Sequence, residues 1–285
     1  MGDPVGDFRK FLELSKSPET VKTYMSTVRE FMDFLRRRGK SLDDVELRDC
    51  VDFLYGFENR RYAARNAYAL KAFLKYVGKV GLAEKVPVPK YTTRLKEVLT
   101  KEEIERGLEI MEELVDRSRY RDTALRNLAI IALAYEAGLR IGEVVRLNKE
   151  DFRPEKKEIV IHRLKTKGGE PEDHVVPLSD YVVDVLQEYL RVRGEDGCEA
   201  LFACGEPPHR CSKEMIRQIF KKFARIIGKE HITFHTLRRS RGTHLYLEGK
   251  DPMTIAKLLH HKNPASTAVY VLPTSEDLRR KLQSK

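Results

Sequence analysis

The chain has 285 residues, enough for two domains of ordinary size, and 41% of them are hydrophobic, enough for a sizeable core. No apolar run approaches the length of a bilayer span, and the opening MGDPVGDFRKFLELSK carries acids and lacks the apolar stretch of a signal peptide, so a soluble cytoplasmic protein with no membrane partner is expected. The 54 basic residues against 44 acidic, a formal charge of +10, favour a polyanionic partner without identifying one, because a basic enzyme unconnected with nucleic acid has the same balance.

The first part of the chain predicts helices. Ser17, Pro18, Glu19 and Thr20 form a helix start, with a serine N-cap and proline in the first turn. Tyr24, Val28, Phe31, Met32 and Leu35 follow at helical spacing, and Gly39 ends the run. A second start at Ser41 precedes Val45, Leu47, Val51, Phe53 and Leu54, and a third helix is expected from about Arg61 to Val77. The alternate prolines of Val86 to Thr93 force extended backbone and read as a linker. The expected domains are therefore 1–85 and 95–285, joined by 86–94. Residues 1–94 hold 19 basic and 13 acidic residues, which makes this part the more basic per residue. Arg36 to Arg38, and Arg60, Arg61 and Arg65, are its dense clusters; each could equally be a solvated helix face.

After the linker, Thr100 to Glu103 is a capping box that opens a helix through Leu114. A strongly apolar helix is expected from about Thr123 to Ala137, with Gly138 just past its end. Two β-branched runs, 158–162 and 174–177, flank a turn-rich stretch and predict a small antiparallel hairpin. Segments 179–193, 213–227, 236–248 and 252–260 carry apolar residues at helical spacing. The fold class is mainly α with a small antiparallel β element. Four cysteines are too few for a disulfide framework. Cys198, Cys204 and Cys211 lie near His209 without a C-x-x-C pair, so reduced thiols in a loop are expected ahead of a zinc site. A disulfide within the group stays open for a chain from a very hot source, which the 34% charged residues would fit.

Four stretches could carry chemistry. Arg140, in AGLRIGE, sits where one helix ends and the next begins, and its planar fork suits a phosphate. Glu143, three residues on, could steady it; alone, the two are more often a structural pair. Lys165 and Lys167 lie in the turn between the two strands, where a lysine can reach a substrate oxygen but is usually only solvated. His235 and Arg238 share a helix face, a proton-transfer group beside an anion clamp. His261 and Tyr270 follow in LLHHKNPASTAVYV, nine positions apart, although a tyrosine in such a place is commonly a packing residue.

In that order and spacing these residues resemble the tyrosine recombinase (phage integrase-type) family. AGLRIGEVVRL looks like its first arginine box, HTLRRSRGTHLYLEG like its second, and LLHHKNPASTAVYV like its LGHSxxxTTxxYxH region. The helical N-terminal part resembles the core-binding, SAM-like DNA-binding domain of that family, and the compact size looks most like its Xer subgroup, archaeal members included. The resemblance implies a two-domain architecture and a site-specific recombinase that cleaves and rejoins DNA through a 3′-phosphotyrosine on Tyr270. Arg140, Arg238 and His261 would bind the phosphate, Lys167 would protonate the leaving oxygen, and His235 would handle the tyrosine proton. Lys167 matches the family's turn better than Lys165. His260 stands where the family has glycine, and the stretch from Lys167 to Pro177 is slightly long, which leaves the lysine's aim open. No cofactor or metal is expected, since no P-loop or carboxylate cluster is recognisable. The implied partners are double-stranded DNA with paired inverted half-sites and three further copies of the chain in a homo-tetramer. Residues 275–282 read as a short helix that could dock on a neighbouring copy. Chromosome or plasmid dimer resolution is the leading role. The alternatives are a mobile-element integrase, a type IB topoisomerase-like relaxing enzyme and a DNA-binding regulator that has lost catalysis.

Overall fold

Proline and side-chain caps mark the helix starts where the sequence places them. Ser17 accepts the Thr20 amide at the head of the helix Pro18–Arg37, and Asn59 accepts the amides of Arg61 and Tyr62 at the head of Arg60–Tyr76. The computed structural model describes residues 3–92, 97–162 and 173–259. The chain divides into two units, Met1–Leu95 and Lys96–Lys285. Mainly helical, with small antiparallel sheets, it has the expected fold class.

In the first unit the helices are α1 (Pro4–Ser15), α2 (Pro18–Arg37), α3 (Leu47–Tyr55), α4 (Arg60–Tyr76) and α5 (Val80–Lys85). One core cluster gathers Phe8, Leu12, Val21, Met25, Val28 and Phe73. The other joins Phe31, Leu35, Phe53, Leu70 and Leu74, and includes Val86 from the proline-rich stretch. The helix expected from Ser41 begins only at Leu47, because Asp44 folds back to accept from the amide and hydroxyl of Ser41 and holds a turn there. Two arginines of the dense 36–38 cluster are engaged within the unit. Arg36 pairs with Asp33 at 2.9 Å, and Arg38 pairs with Asp52 at 2.7 Å while lying 4.4 Å above the Phe34 ring.

The second unit begins with α6 (Lys101–Arg117), opened by the Thr100/Glu103 capping box, and α7 (Arg121–Glu136). Leu125 and every residue from Leu128 to Leu133 of α7 are buried, so this helix is the spine of the core. The short α8 (Ile141–Arg146) leads through a 3₁₀ turn, Lys149–Asp151, into β1 (Phe152–Arg153), β2 (Glu158–Ile161) and β3 (His174–Pro177). These strands form an antiparallel sheet in that order, with Ile159 opposite Val176. Then come α9 (Asp180–Arg193), the two-residue strands β4 (Ala203–Cys204) and β5 (His209–Arg210), α10 (Lys213–Ile226), α11 (His235–Leu247) and α12 (Pro252–Leu258).

Two expectations are corrected here. The cysteine stretch, for which reduced thiols in a loop are expected ahead of a disulfide, contains the antiparallel pair β4–β5, and Cys204 of β4 and Cys211, just after β5, form a disulfide across a Cα separation of 5.1 Å; Cys198 stays a thiol. Alternating residues on strands only two residues long leave too little pattern to detect. The helix α11 was expected to bury an apolar stripe. Instead Thr236, Arg238, Arg239, Ser240, Thr243 and His244 are all buried beside Leu237 and Leu245. Burial of so many polar groups requires partners. Ser240 Oγ accepts the Leu99 amide at 2.9 Å and donates to the Thr236 carbonyl, while Arg239 donates to the Glu97 carbonyl.

Candidate active site

The site starts from the end of α7. Gly138 has φ +59, and a Cβ placed on it would run into Leu259 Cδ2, so glycine alone turns the chain here. The turn delivers Arg140 as the N-cap of α8. Glu143, at the third position of α8, accepts the Arg140 amide on Oε2 at 2.6 Å and Arg140 Nη1 on Oε1 at 2.8 Å. Arg140 remains 43% exposed, so its guanidinium is held by one edge and open on another.

Arg238 approaches the same carboxylate from α11. Its Nη1 lies 3.9 Å from Glu143 Oε2 and donates to the Gly138 carbonyl at 2.6 Å; Nη2 donates to the Leu259 carbonyl. The side chain is fully buried. Arg238 thus ties together the end of α7, the start of α8 and the residue after α12. His235 occupies the first position of α11, three residues before Arg238, and is exposed. Lys165, Lys167, His261, Tyr270 and the expected 275–282 helix lie outside the described residues. The structure therefore brings together Arg140 and Arg238, with Glu143 between them, and places His235 on the same helix as Arg238.

Other polar residues around this centre have no signature in the sequence. His244, one helical turn and a half past Arg238, is buried between the Tyr135 hydroxyl (2.7 Å from Nδ1) and the Leu99 carbonyl (2.8 Å from Nε2). A carbonyl only accepts, so Nε2 carries the proton and Nδ1 receives the tyrosine O–H. Burial holds the His244 pKa below the ordinary imidazole value and pushes the Tyr135 hydroxyl up to about 12. Arg241 donates to the Glu136 carbonyl at the end of α7, and Glu136 in turn takes the Ser179 hydroxyl at 2.7 Å, which joins α7, α11 and the head of α9. Among the described residues no cluster of histidine, cysteine and carboxylate side chains could hold a metal, and no helix is long and apolar enough to cross a membrane.

The phage integrase family model matches residues 97–276, and the model of the phage integrase N-terminal SAM-like domain matches residues 5–81. The chain belongs to the phage integrase family. It is 30% identical to tyrosine recombinase XerA of Thermococcus kodakarensis over 97% of this chain and 93% of that one. It is also 30% identical to tyrosine recombinase XerC of Roseiflexus castenholzii, over 95% of this chain and 88% of the relative. Its fold is similar to a XerH site-specific recombinase in a post-cleavage complex with a palindromic difH substrate, at a TM-score of 0.74 and 20% identity, over 93% of this chain and 79% of that one. The chain is a tyrosine site-specific recombinase of the Xer group. Glu143 thus lies between Arg140 of AGLRIGEVVRL and Arg238 of HTLRRSRGTHLYLEG, two stretches that are far apart in the chain.

Proposed function

We propose that this recombinase resolves chromosome or plasmid dimers in the cytoplasm by strand exchange at paired inverted half-sites, as a homo-tetramer on double-stranded DNA. The N-terminal unit would serve as the core-binding domain, and Tyr270 would be the nucleophile. Its Oη attacks the scissile phosphorus while the bond from phosphorus to the 5′-oxygen breaks, leaving a 3′-phosphotyrosine. His235 receives the tyrosine proton, and Lys167 gives a proton to the departing 5′-oxygen. Arg140, Arg238 and His261 take up the charge that builds on the non-bridging oxygens. The covalent bond conserves the energy of the broken phosphodiester, so attack by a 5′-hydroxyl of another strand rejoins the DNA. The reading is supported above all by the pairing of Arg140 with Arg238 through Glu143. Guanidinium groups from two distant segments meet at one carboxylate, a neighbourhood that a phosphate clamp would use. Arg238 is covered in the free protein, so phosphate engagement would exchange its Leu259 carbonyl for a phosphate oxygen.

The test is incubation with nicked duplexes carrying a candidate site, followed by a denaturing gel. A protein–DNA adduct is expected with the native chain and none with Tyr270→Phe. An adduct that persists in that variant would remove Tyr270 from the reaction. Relaxation of any supercoiled plasmid by a monomer, with no site required, would overturn the dimer-resolution role.

A further inference from the structure

The helix α8, which has Arg140 as its N-cap, is only six residues long. It spans about 9 Å, and a helix this short is not stable on its own. Its first turn is closed by Glu143 on the Arg140 amide. Its carbonyl end is closed by Arg210 of β5. Nη1 of Arg210 donates to the carbonyls of Val145 and Leu147, each at 2.9 Å, and Nη2 donates to Asn148 Oδ1 at 2.6 Å. The last carbonyls of a helix have no partner within it, and a cation there also meets the negative end of the helix dipole.

Arg210 is itself anchored in the core. It stands opposite Ala203 in the β4–β5 pair, and the Cys204–Cys211 disulfide fastens the residue after it. The Cys211 amide donates to the Phe202 carbonyl at 3.1 Å, and Leu201, Phe202, Cys204 and Cys211 all belong to the main core cluster. Arg126 of α7 donates to the Ala203 carbonyl at 3.1 Å. The chain leaving α8 is sewn to the same stretch, since the Leu201 amide donates to the Leu147 carbonyl at 2.9 Å and the Lys149 amide to the Glu199 carbonyl at 2.8 Å. Glu143, Arg146, Asn148 and Arg210 line one cavity of about 330 Å³. Removal of the Arg210 guanidinium would leave the Val145 carbonyl and Asn148 Oδ1 to water, and the last turn of α8 free to fray toward Glu143 and Arg140.

We propose that Arg210 is a positioning residue for strand cleavage: by holding the carbonyl end of α8 against the β4–β5 pair, it fixes where the opposite end of that helix presents Arg140 to the scissile phosphate. The proposal rests on the reading of Arg140 as a clamp on that phosphate.

Single-turnover cleavage of a nicked duplex carrying the site tests it, with either an ordinary scissile phosphate or a methylphosphonate in its place. A methyl group instead of one non-bridging oxygen removes the charge that the arginine clamp neutralises. Relative to the native chain on the same substrate, Arg140→Ala is expected to slow cleavage of the phosphate about 10²–10³-fold and to lose most of that defect on the methylphosphonate. Arg210→Met keeps an unbranched stem and removes the donors. It should bind DNA as the native chain does, slow cleavage of the phosphate about 10- to 100-fold, and be relieved by the methylphosphonate in the same way. The double variant should be no slower than Arg140→Ala, since an absent guanidinium cannot be misplaced. An Arg210→Met variant that melts normally and matches the native rate on the phosphate overturns the positioning role. So does a defect that is as large on the methylphosphonate, or that multiplies with the defect of Arg140→Ala. Should Arg210→Met not fold, Arg210→Lys, which keeps a cation at the end of α8 but cannot span all three oxygens, takes its place in the same comparisons, with a smaller slowing expected and the same outcomes overturning the role. If Arg140→Ala is not relieved by the methylphosphonate, the clamp reading fails and carries this proposal with it. If Arg140→Ala is relieved and the Arg210 variant is not, only the role of Arg210 fails.

Discussion

Arg140 and Arg238, ninety-eight positions apart in the sequence, share one carboxylate: Glu143 holds Arg140 Nη1 at 2.8 Å and faces Arg238 Nη1 at 3.9 Å. The two arginines differ in how the fold uses them. Arg140 is 43% exposed, whereas Arg238 is fully buried and donates to two carbonyls. Arg140→Ala should therefore leave the melting temperature nearly unchanged and slow cleavage about 10²–10³-fold. Arg238→Ala should slow cleavage as much and also destabilise the fold, since each buried carbonyl left without its donor costs about 1–3 kcal/mol. Band shifts, cleavage gels and thermal melts on the two variants check this; equal stability of both would contradict the structural role of Arg238.

Gly138 is the pivot of this arrangement. An alanine there meets a backbone at φ +59 and the side chain of Leu259 together. Gly138→Ala should destabilise the protein by at least about 1 kcal/mol and displace Leu259, one of the two carbonyl partners of Arg238. Chemical denaturation should show a lower midpoint, and cleavage should fall with DNA binding retained.

Stability should respond to acid through His244. Its folded pKa lies below the unfolded value because the ring is buried, so the unfolded chain binds the extra proton first. The stabilisation is fully present above the ordinary imidazole pKa of about 6.5 and is lost as pH falls from there toward the lowered value. His162 has the opposite sign: its raised pKa stabilises the fold below about 6.5 and the contribution disappears as pH rises through the raised value. Melting curves of His244→Gln minus the native chain should show a gap that narrows in acid. The corresponding gap for His162→Gln should narrow toward alkaline pH.

The Cys204–Cys211 disulfide closes a short loop across β4 and β5. Thiol titration of the denatured, unreduced protein should find two free thiols, Cys50 and Cys198, of the four cysteines. Replacing both bonded cysteines by serine should lower stability by about 2 kcal/mol. Four titratable thiols would show that the pair does not form.

The order of residues alone marks the helices with strong starts and stops, such as Pro18–Arg37 and Lys101–Arg117, because caps and apolar spacing are local. It also determined the β2–β3 pairing, since β-branched runs flanking a turn-rich stretch are a local signal, and it yielded Arg140, His235 and Arg238 as candidates through the order of the boxes. The packed fold was needed to show that α11 buries polar residues, that Glu143 faces two arginines, and that His162 sits between Asp151 and Asp173. Those facts depend on groups far apart in the chain meeting at hydrogen-bond distance. Helical and strand periodicity records which face of an element is apolar, but it carries no information about which distant carbonyl or carboxylate will satisfy a polar group once that face is buried.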